Sequence, residues 1–252
     1  MPFPDGYAHL ILDEVDSTMA EASRQVGSLT EPTWIMARRQ TAARGRQGRG
    51  WDMAEGNFAA TLVMRPEGTL QEAAKRSFLA AVALFETLAL YVDRTKLALK
   101  WPNDVLLDEG KVAGILLESA GRGHFVDWLA IGVGVNLTSA PDIGGAFPAV
   151  SLAGQGGRTV EPETFLTVLA GHYATQEDKL RAFGFARIRE DWLRHAARVG
   201  ETITARTARE EITGTFDTVD QDGNLILQTA DGPRAIPSAE VFFGKARDAS
   251  GD

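Results

Sequence analysis

Within residues 44–50, Arg44, Arg46 and Arg49 alternate with Gly45, Gly48 and Gly50, and Trp51 follows directly. Guanidinium forks match phosphate and carboxylate oxygens, glycines let the backbone turn sharply and expose N–H groups to an anion, and an indole can stack on a flat base. Taken alone, the segment reads first as a flexible surface loop; an arginine–glycine RNA-binding segment is the other ordinary explanation, weakened by the net acidity of the chain. A second constellation is KWPND at 100–104, followed by Lys111 in GKVAGILLES. Pro102, Asn103 and Asp104 bend the chain. A turn at Asp108, Glu109 and Gly110 then starts a second strand whose first residue is Lys111, with Ala113 and Gly114 leaving room for a ligand. An isolated lysine at such a strand edge would ordinarily be a solvated charge. In IGVGVNL at 131–137, Gly132 and Gly134 lead to Asn136 at a strand exit, where asparagine commonly forms a turn. Ser17 and Thr18 precede a helical segment, so capping is the ordinary use of their hydroxyls, although one can cap while the other faces a ligand.

These groups need elements to hold them. The first dozen residues, with Tyr7, Leu10 and Leu12, suggest a strand, and a helix follows to about Val26, with Thr18 and Glu21 at the spacing of a capping box. Further strands are expected at 33–38, 57–64, 97–101, 105–107, 112–118 and 125–136, and helices at 70–92, which should be amphipathic, 162–183 and 185–199. Strands outnumber helices and several are hairpin-linked, which predicts an α+β sheet domain rather than strictly alternating βαβ units. Near Gly200 the texture changes. Short β-rich runs at 202–207, 212–219 and 225–229, with turns at Asp222-Gly223 and Asp231-Gly232, predict a small β-barrel after a boundary at 195–200.

The 252 residues carry a net charge of −8 with 44% hydrophobic and 24% charged residues, a globular balance whose overall field repels polyanions. Any anion site must therefore be a local cluster of arginine or lysine. The absence of cysteine excludes disulfides, thiolate catalysis and cysteine-ligated zinc, and four dispersed histidines show no metal-ligand spacing. The start has neither the basic nor the apolar region of a signal peptide, and the longest apolar stretch, 78–92, is interrupted by Glu86 and too short to span a bilayer. A cytoplasmic protein without membrane partners is expected.

The motifs taken jointly resemble the biotin–protein ligase family: DSTMAEA at 16–22, QTAARGRQGRGW at 40–51, KWPNDVLLDEGKVAGILLES at 100–119 and IGVGVNL at 131–137. The resemblance covers roughly residues 8–245. It implies a class II synthetase-like mixed-sheet catalytic domain at 1–196, an SH3-like β-barrel at 197–247 and a tail at 248–252, without a DNA-binding repressor domain ahead of them. It also implies activation of biotin with ATP and magnesium (Mg2+) to biotinyl-5′-AMP, then transfer to a lysine of a biotin carboxyl carrier protein. Lys111 and Arg46 would be catalytic. Ser17, Thr18, Met19, Gln40, Arg44, Gly45, Arg46, Lys111 and Gly114 would bind biotin. Arg44, Arg46, Arg49, Trp51, Asn103, Asp104 and Asn136 would serve the nucleotide, the last three sharing nucleotide, magnesium or carrier-lysine contacts. No metal-binding side chain is assigned. The family usually has asparagine at Met19, leaving only backbone or an apolar wall there, and glycine at Ala43. The arginine–glycine loop should be mobile until adenylate orders it. Exposed sheet edges would support a homodimer, and no nucleic-acid partner is expected. A lipoate or octanoate ligase of the same superfamily is the nearest rival, and an RNA-binding module a distant one.

Overall fold

The computed structural model describes residues 2–45, 50–51, 53–142 and 148–243. Arg46 and Arg49, with the expected ordering of their loop, and the tail at 248–252 lie outside the described residues.

The first sheet is mixed and has seven strands: β1 (Ala8–Val15), β2 (Thr33–Gln40), β3 (Phe58–Met64), β4 (Leu97–Lys100), β5 (Asp104–Leu107), β6 (Gly110–Arg122) and β7 (Phe125–Val135). Their order is β1-β2-β3-β7-β6-β5-β4. Only β1 and β2 pair in parallel, across helix α1 (Thr18–Gln25), and every other neighbouring pair is antiparallel. The two faces are divided by strand alternation. Phe58, Ala60, Leu62 and Met64 of β3 face a core shared with α3 (Arg76–Leu88) and α4 (Pro162–Phe183), while Val63 faces α1 through Met19 and Ala22. A buried Arg76–Glu177 pair at 2.6 Å ties α3 to α4.

The helix expected at 70–92 is two helices, α2 (Leu70–Ala74) and α3, meeting at Lys75. Nor is α3 amphipathic. It lies between the sheet and α4 with eleven of its thirteen residues buried, because both of its sides have a partner. The capping box is not at Thr18 and Glu21 either. Glu21 accepts from Arg24 and Gln25, and the reciprocal box is formed by Thr69 and Glu72 at the start of α2. Helix α5 (Phe185–Arg194) ends before the expected 199.

Strands β8 (Thr202–Arg206), β9 (Glu211–Val219), β10 (Leu225–Thr229), β11 (Gly232–Ile236) and β12 (Glu240–Phe243) form a second, antiparallel sheet in the order β11-β10-β9-β8-β12. The last two strands were not expected from the sequence. The described ladders place β11 and β12 at the two ends of this order and form a small antiparallel β domain. No helix among the described residues is long and apolar enough to cross a membrane.

Candidate active site

Three strands of the first sheet lay down a floor almost free of side chains. One row across β3, β7 and β6 reads Ala59, Gly134, Gly114, and the next pairs Gly132 with Leu116, their β3 neighbour Thr61 lying outside the lining. Trp51 lies over the first row: a Cβ on Gly134 would come within 2.6 Å of its indole, and one on Gly114 within 3.4 Å. Met19 lies over the second, its Sδ 3.3 Å from where a Gly132 Cβ would stand. The cavity above this floor, about 270 Å³, is bordered by Ser17, Thr18, Met19, Gln40, Arg44, Gly45, Trp51, Asn103, Asp104, Lys111, Gly114 and Asn136. Every described residue proposed from the sequence for the site thus meets in one place.

At one end the wall is polar and uncharged. Thr18 donates through its backbone N–H and its hydroxyl to the Gln40 side-chain oxygen, at 2.8 and 3.2 Å. Neither Ser17 nor Thr18 caps α1 with its side chain; Ser17 occupies the cap position, and its hydroxyl makes no hydrogen bond among the described residues. Met19, 3% exposed, is an apolar wall. Ala43 accepts from the Trp51 N–H at 3.0 Å and is not among the residues with positive φ, so alanine in place of the family's glycine brings no strain here.

The other end is charged. β4 and β5 are joined through a cis Trp101–Pro102 peptide bond, and Asn103 locks the turn by donating to the Ile115 carbonyl and accepting from its N–H. Asp104 lies between two lysines, 2.6 Å from Lys111 Nζ and 3.5 Å from Lys100 Nζ. A bulge between β5 and β6 decides where Lys111 points. Val105 pairs with Ala113 but Leu106 pairs with Lys111, so Val112 is the extra residue, and Lys111 shares the cavity face with Gly114 instead of with Ala113. Ala113, expected to make room for a ligand, is turned into the core and fully buried. The preceding turn carries Asp108 and Glu109 at φ 47° and 65°, the primed geometry that suits a two-residue hairpin. Gly110 is required for a different reason: a Cβ there would sit 2.3 Å from Val150. Asn136 donates from its side chain to Val150 O and accepts at its backbone from Leu152, holding that segment beside Lys111.

The lining also includes residues to which the sequence assigns no role, among them Ala59, Lys100, Glu240 and Val241. Ala59 sits in an otherwise ordinary strand. Glu240 and Val241 arrive from the second sheet, 129 and more positions beyond Lys111. Lys100, the first residue of the KWPND motif, is 7% exposed, and burial pushes its ammonium below the usual lysine range, against the favourable charge of Asp104. A lysine at a strand end gave no signal of that burial.

The model of the biotin/lipoate A/B protein ligase family matches residues 11–136, half the chain, and includes every cavity-lining residue named above except Glu240 and Val241. The chain belongs to the biotin/lipoate A/B protein ligase family. A second model, the biotin protein ligase C-terminal domain, matches residues 199–244 and sets this member with the biotin protein ligases. Biotin--[acetyl-CoA-carboxylase] ligase of Paracoccus denitrificans is 51% identical over 239 residues, covering 93% of this chain and 100% of that one. The bifunctional ligase/repressor BirA of Bacillus subtilis (strain 168) is 30% identical, over 94% of this chain and 74% of that protein. In fold, the chain is similar to the biotin protein ligase from Aquifex aeolicus in complex with biotin and ATP, with a TM-score of 0.77 and 24% identity over 93% of this chain and 98% of that one.

Proposed function

We propose that this ligase joins biotin to ATP, forming biotinyl-5′-AMP, and then passes the biotinyl group to a lysine of a biotin carboxyl carrier domain. The observation that carries the reading is one cavity with a neutral hydrogen-bonding end at Thr18 and Gln40 and a cationic end at Lys111 and Lys100. Biotin has the same two ends, a cyclic urea and a carboxylate. In the first step a carboxylate oxygen bonds to the α-phosphorus and the bond to the β-phosphate oxygen breaks, releasing pyrophosphate. In the second, the lysine nitrogen bonds to the acyl carbon, AMP leaves with the bonding pair, and the nitrogen loses a proton. Two anions must meet in the first step, so fixed positive donors and positioning matter more than a protein nucleophile. Lys111 and Arg46 are assigned to that point, Arg44 and Arg49 to the remaining phosphates, and Trp51 to the adenine. Asn103, Asp104 and Asn136 complete the nucleotide side, although the Asn103 and Asn136 amide nitrogens are already committed to backbone carbonyls.

Magnesium would neutralise phosphate charge and come with the nucleotide, since it keeps most of its water and needs few protein ligands. Among the described residues no three His, Asp or Glu side chains group to hold a bare ion. Asp104, the carboxylate nearest Lys111, is held by lysine, so no protein ligand is assigned. The division into 1–196, 197–247 and a tail belongs to the same proposal, as do cytoplasmic residence, a homodimer and the lack of a nucleic-acid partner. Sedimentation tests the dimer, and filter binding across salt tests for nucleic acid, whose phosphate-dominated binding would fall steeply.

The decisive experiment is pyrophosphate exchange into ATP with biotin or lipoate, followed by labelling of a purified carrier domain. Biotin-dependent exchange and labelling of one lysine are expected. Exchange that follows lipoate and ignores biotin would transfer the reading to the lipoate branch.

A further inference from the structure

Thr61 is the one hydroxyl in β3, a strand whose seven residues are all buried, and it is itself 0% exposed. A hydroxyl in such a place costs free energy unless it is hydrogen-bonded. Its bond is to the Thr18 hydroxyl, at 2.9 Å. Thr61 does not border the cavity; Thr18 does, and so does Gly132, the cross-strand partner of Thr61.

The proton positions in this chain follow from one group that has no choice. The Thr18 backbone N–H can only donate, and it points at a Gln40 side-chain atom 2.8 Å away, so that atom is the carboxamide oxygen. The Thr18 hydroxyl lies 3.2 Å from the same oxygen and donates its single proton to it. Its oxygen is then left with lone pairs only. Thr61 fills one by donating, which leaves one for a ligand in the cavity that Thr18 borders. Gln40, its oxygen taken by two donors, keeps only N–H groups to offer, with Met53 Sδ as a weak acceptor 3.5 Å away. The wall therefore presents an acceptor at Thr18 beside a donor at Gln40. That is the complement of an N–H beside a C=O, the edge of a cyclic urea.

We propose that Thr61 is a positioning residue for substrate selection: by donating to Thr18 it holds that hydroxyl as an acceptor for a urea N–H, without touching the substrate. The proposal rests on the reading of this cavity as the biotin site.

The test is titration calorimetry of biotin and dethiobiotin, which keeps the urea and lacks the sulfur, on the wild-type chain, Thr61→Val and Thr61→Ser. Valine keeps the shape and removes the donor; serine keeps the donor. Thr61→Val should weaken both ligands about ten-fold, the scale of one net hydrogen bond. Thr61→Ser should stay within about two-fold of wild type, and KM for ATP and kcat at saturating biotin should hold in both variants, a split that general loosening of the fold would not produce. If Thr61→Val does not fold, Thr61→Ser against Thr61→Ala makes the same comparison across one hydroxyl. Equal affinity with and without the hydroxyl, or parallel loss of biotin and ATP binding, overturns the role of Thr61 while leaving the biotin reading intact. A wild-type chain that binds neither biotin nor dethiobiotin overturns both.

Discussion

At the scale of single residues, Lys111, Lys100 and Asp104 form one electrostatic unit, and the two lysines differ in what their burial allows. The Lys111 side chain is 31% exposed and packs into no core, so Lys111→Ala should keep the fold. It should slow adenylate formation by ~10²–10³-fold, the usual cost of losing a donor aimed at developing negative charge. Pyrophosphate exchange and a melting curve on the same sample check both halves; near-normal exchange would remove Lys111 from the first step. Lys100 makes a prediction about pH. Burial lowers its pKa in the folded protein, so between that value and the ordinary lysine pKa of 10.5 the unfolded chain binds more protons than the folded one. Stability contributed at Lys100 is thus present above the unfolded pKa and is lost as pH falls through the folded pKa. Urea midpoints of the wild type should gain on those of Lys100→Met as pH rises from 7.5 toward 10; a constant gap would refute the burial argument.

At the scale of elements, the site depends on two devices, a bulge and a glycine row. The bulge at Val112 puts Lys111 and Gly114 on one face, and the row Ala59, Gly134, Gly114 gives Trp51 a flat surface. Gly134→Ala would place a methyl group within 2.6–2.9 Å of three indole atoms, so the ring must move while the strand, paired on both sides, stays. ATP affinity should fall about ten-fold with little change in melting temperature, and the loss should vanish in a Trp51→Ala background, since two changes acting through one ring are not additive. A full further loss in that background would show that the ring is not the mediator. The small residues were legible as spacing in IGVGVNL and in GKVAG. Their alignment across three strands was not, because register between segments distant in sequence leaves no local pattern.

At the scale of the whole molecule, a single apolar cluster runs from Trp34 and Phe85 under the first sheet to Ile203, Phe216 and Val241 in the second. Polar contacts cross the same junction: Trp101 donates to Gly223 O at 3.1 Å, and Arg189 to Val219 O at 3.3 Å. The two sheets should therefore unfold together, with calorimetric and van't Hoff enthalpies in agreement. Two resolved transitions in the scan would show that the junction is weaker than its burial suggests. The junction also reaches the cavity, since Glu240 and Val241 border it and the Phe243 ring lies 6.0 Å from Lys100 Nζ.

The sequence by itself determined the family, the order of the strands of the first sheet and nearly all the polar side chains that border the cavity, because each of those signals is local: an arginine–glycine run, a proline turn before a lysine, alternating apolar residues. Tertiary structure alone decided what those side chains can do. Strand pairing set the floor of the cavity, the bulge turned Lys111 toward it, and the second sheet closed over Lys100. A threonine in the middle of a buried strand reads as nothing more than a β-former, until the fold brings Thr18 to within 2.9 Å of it and makes the direction of its proton matter.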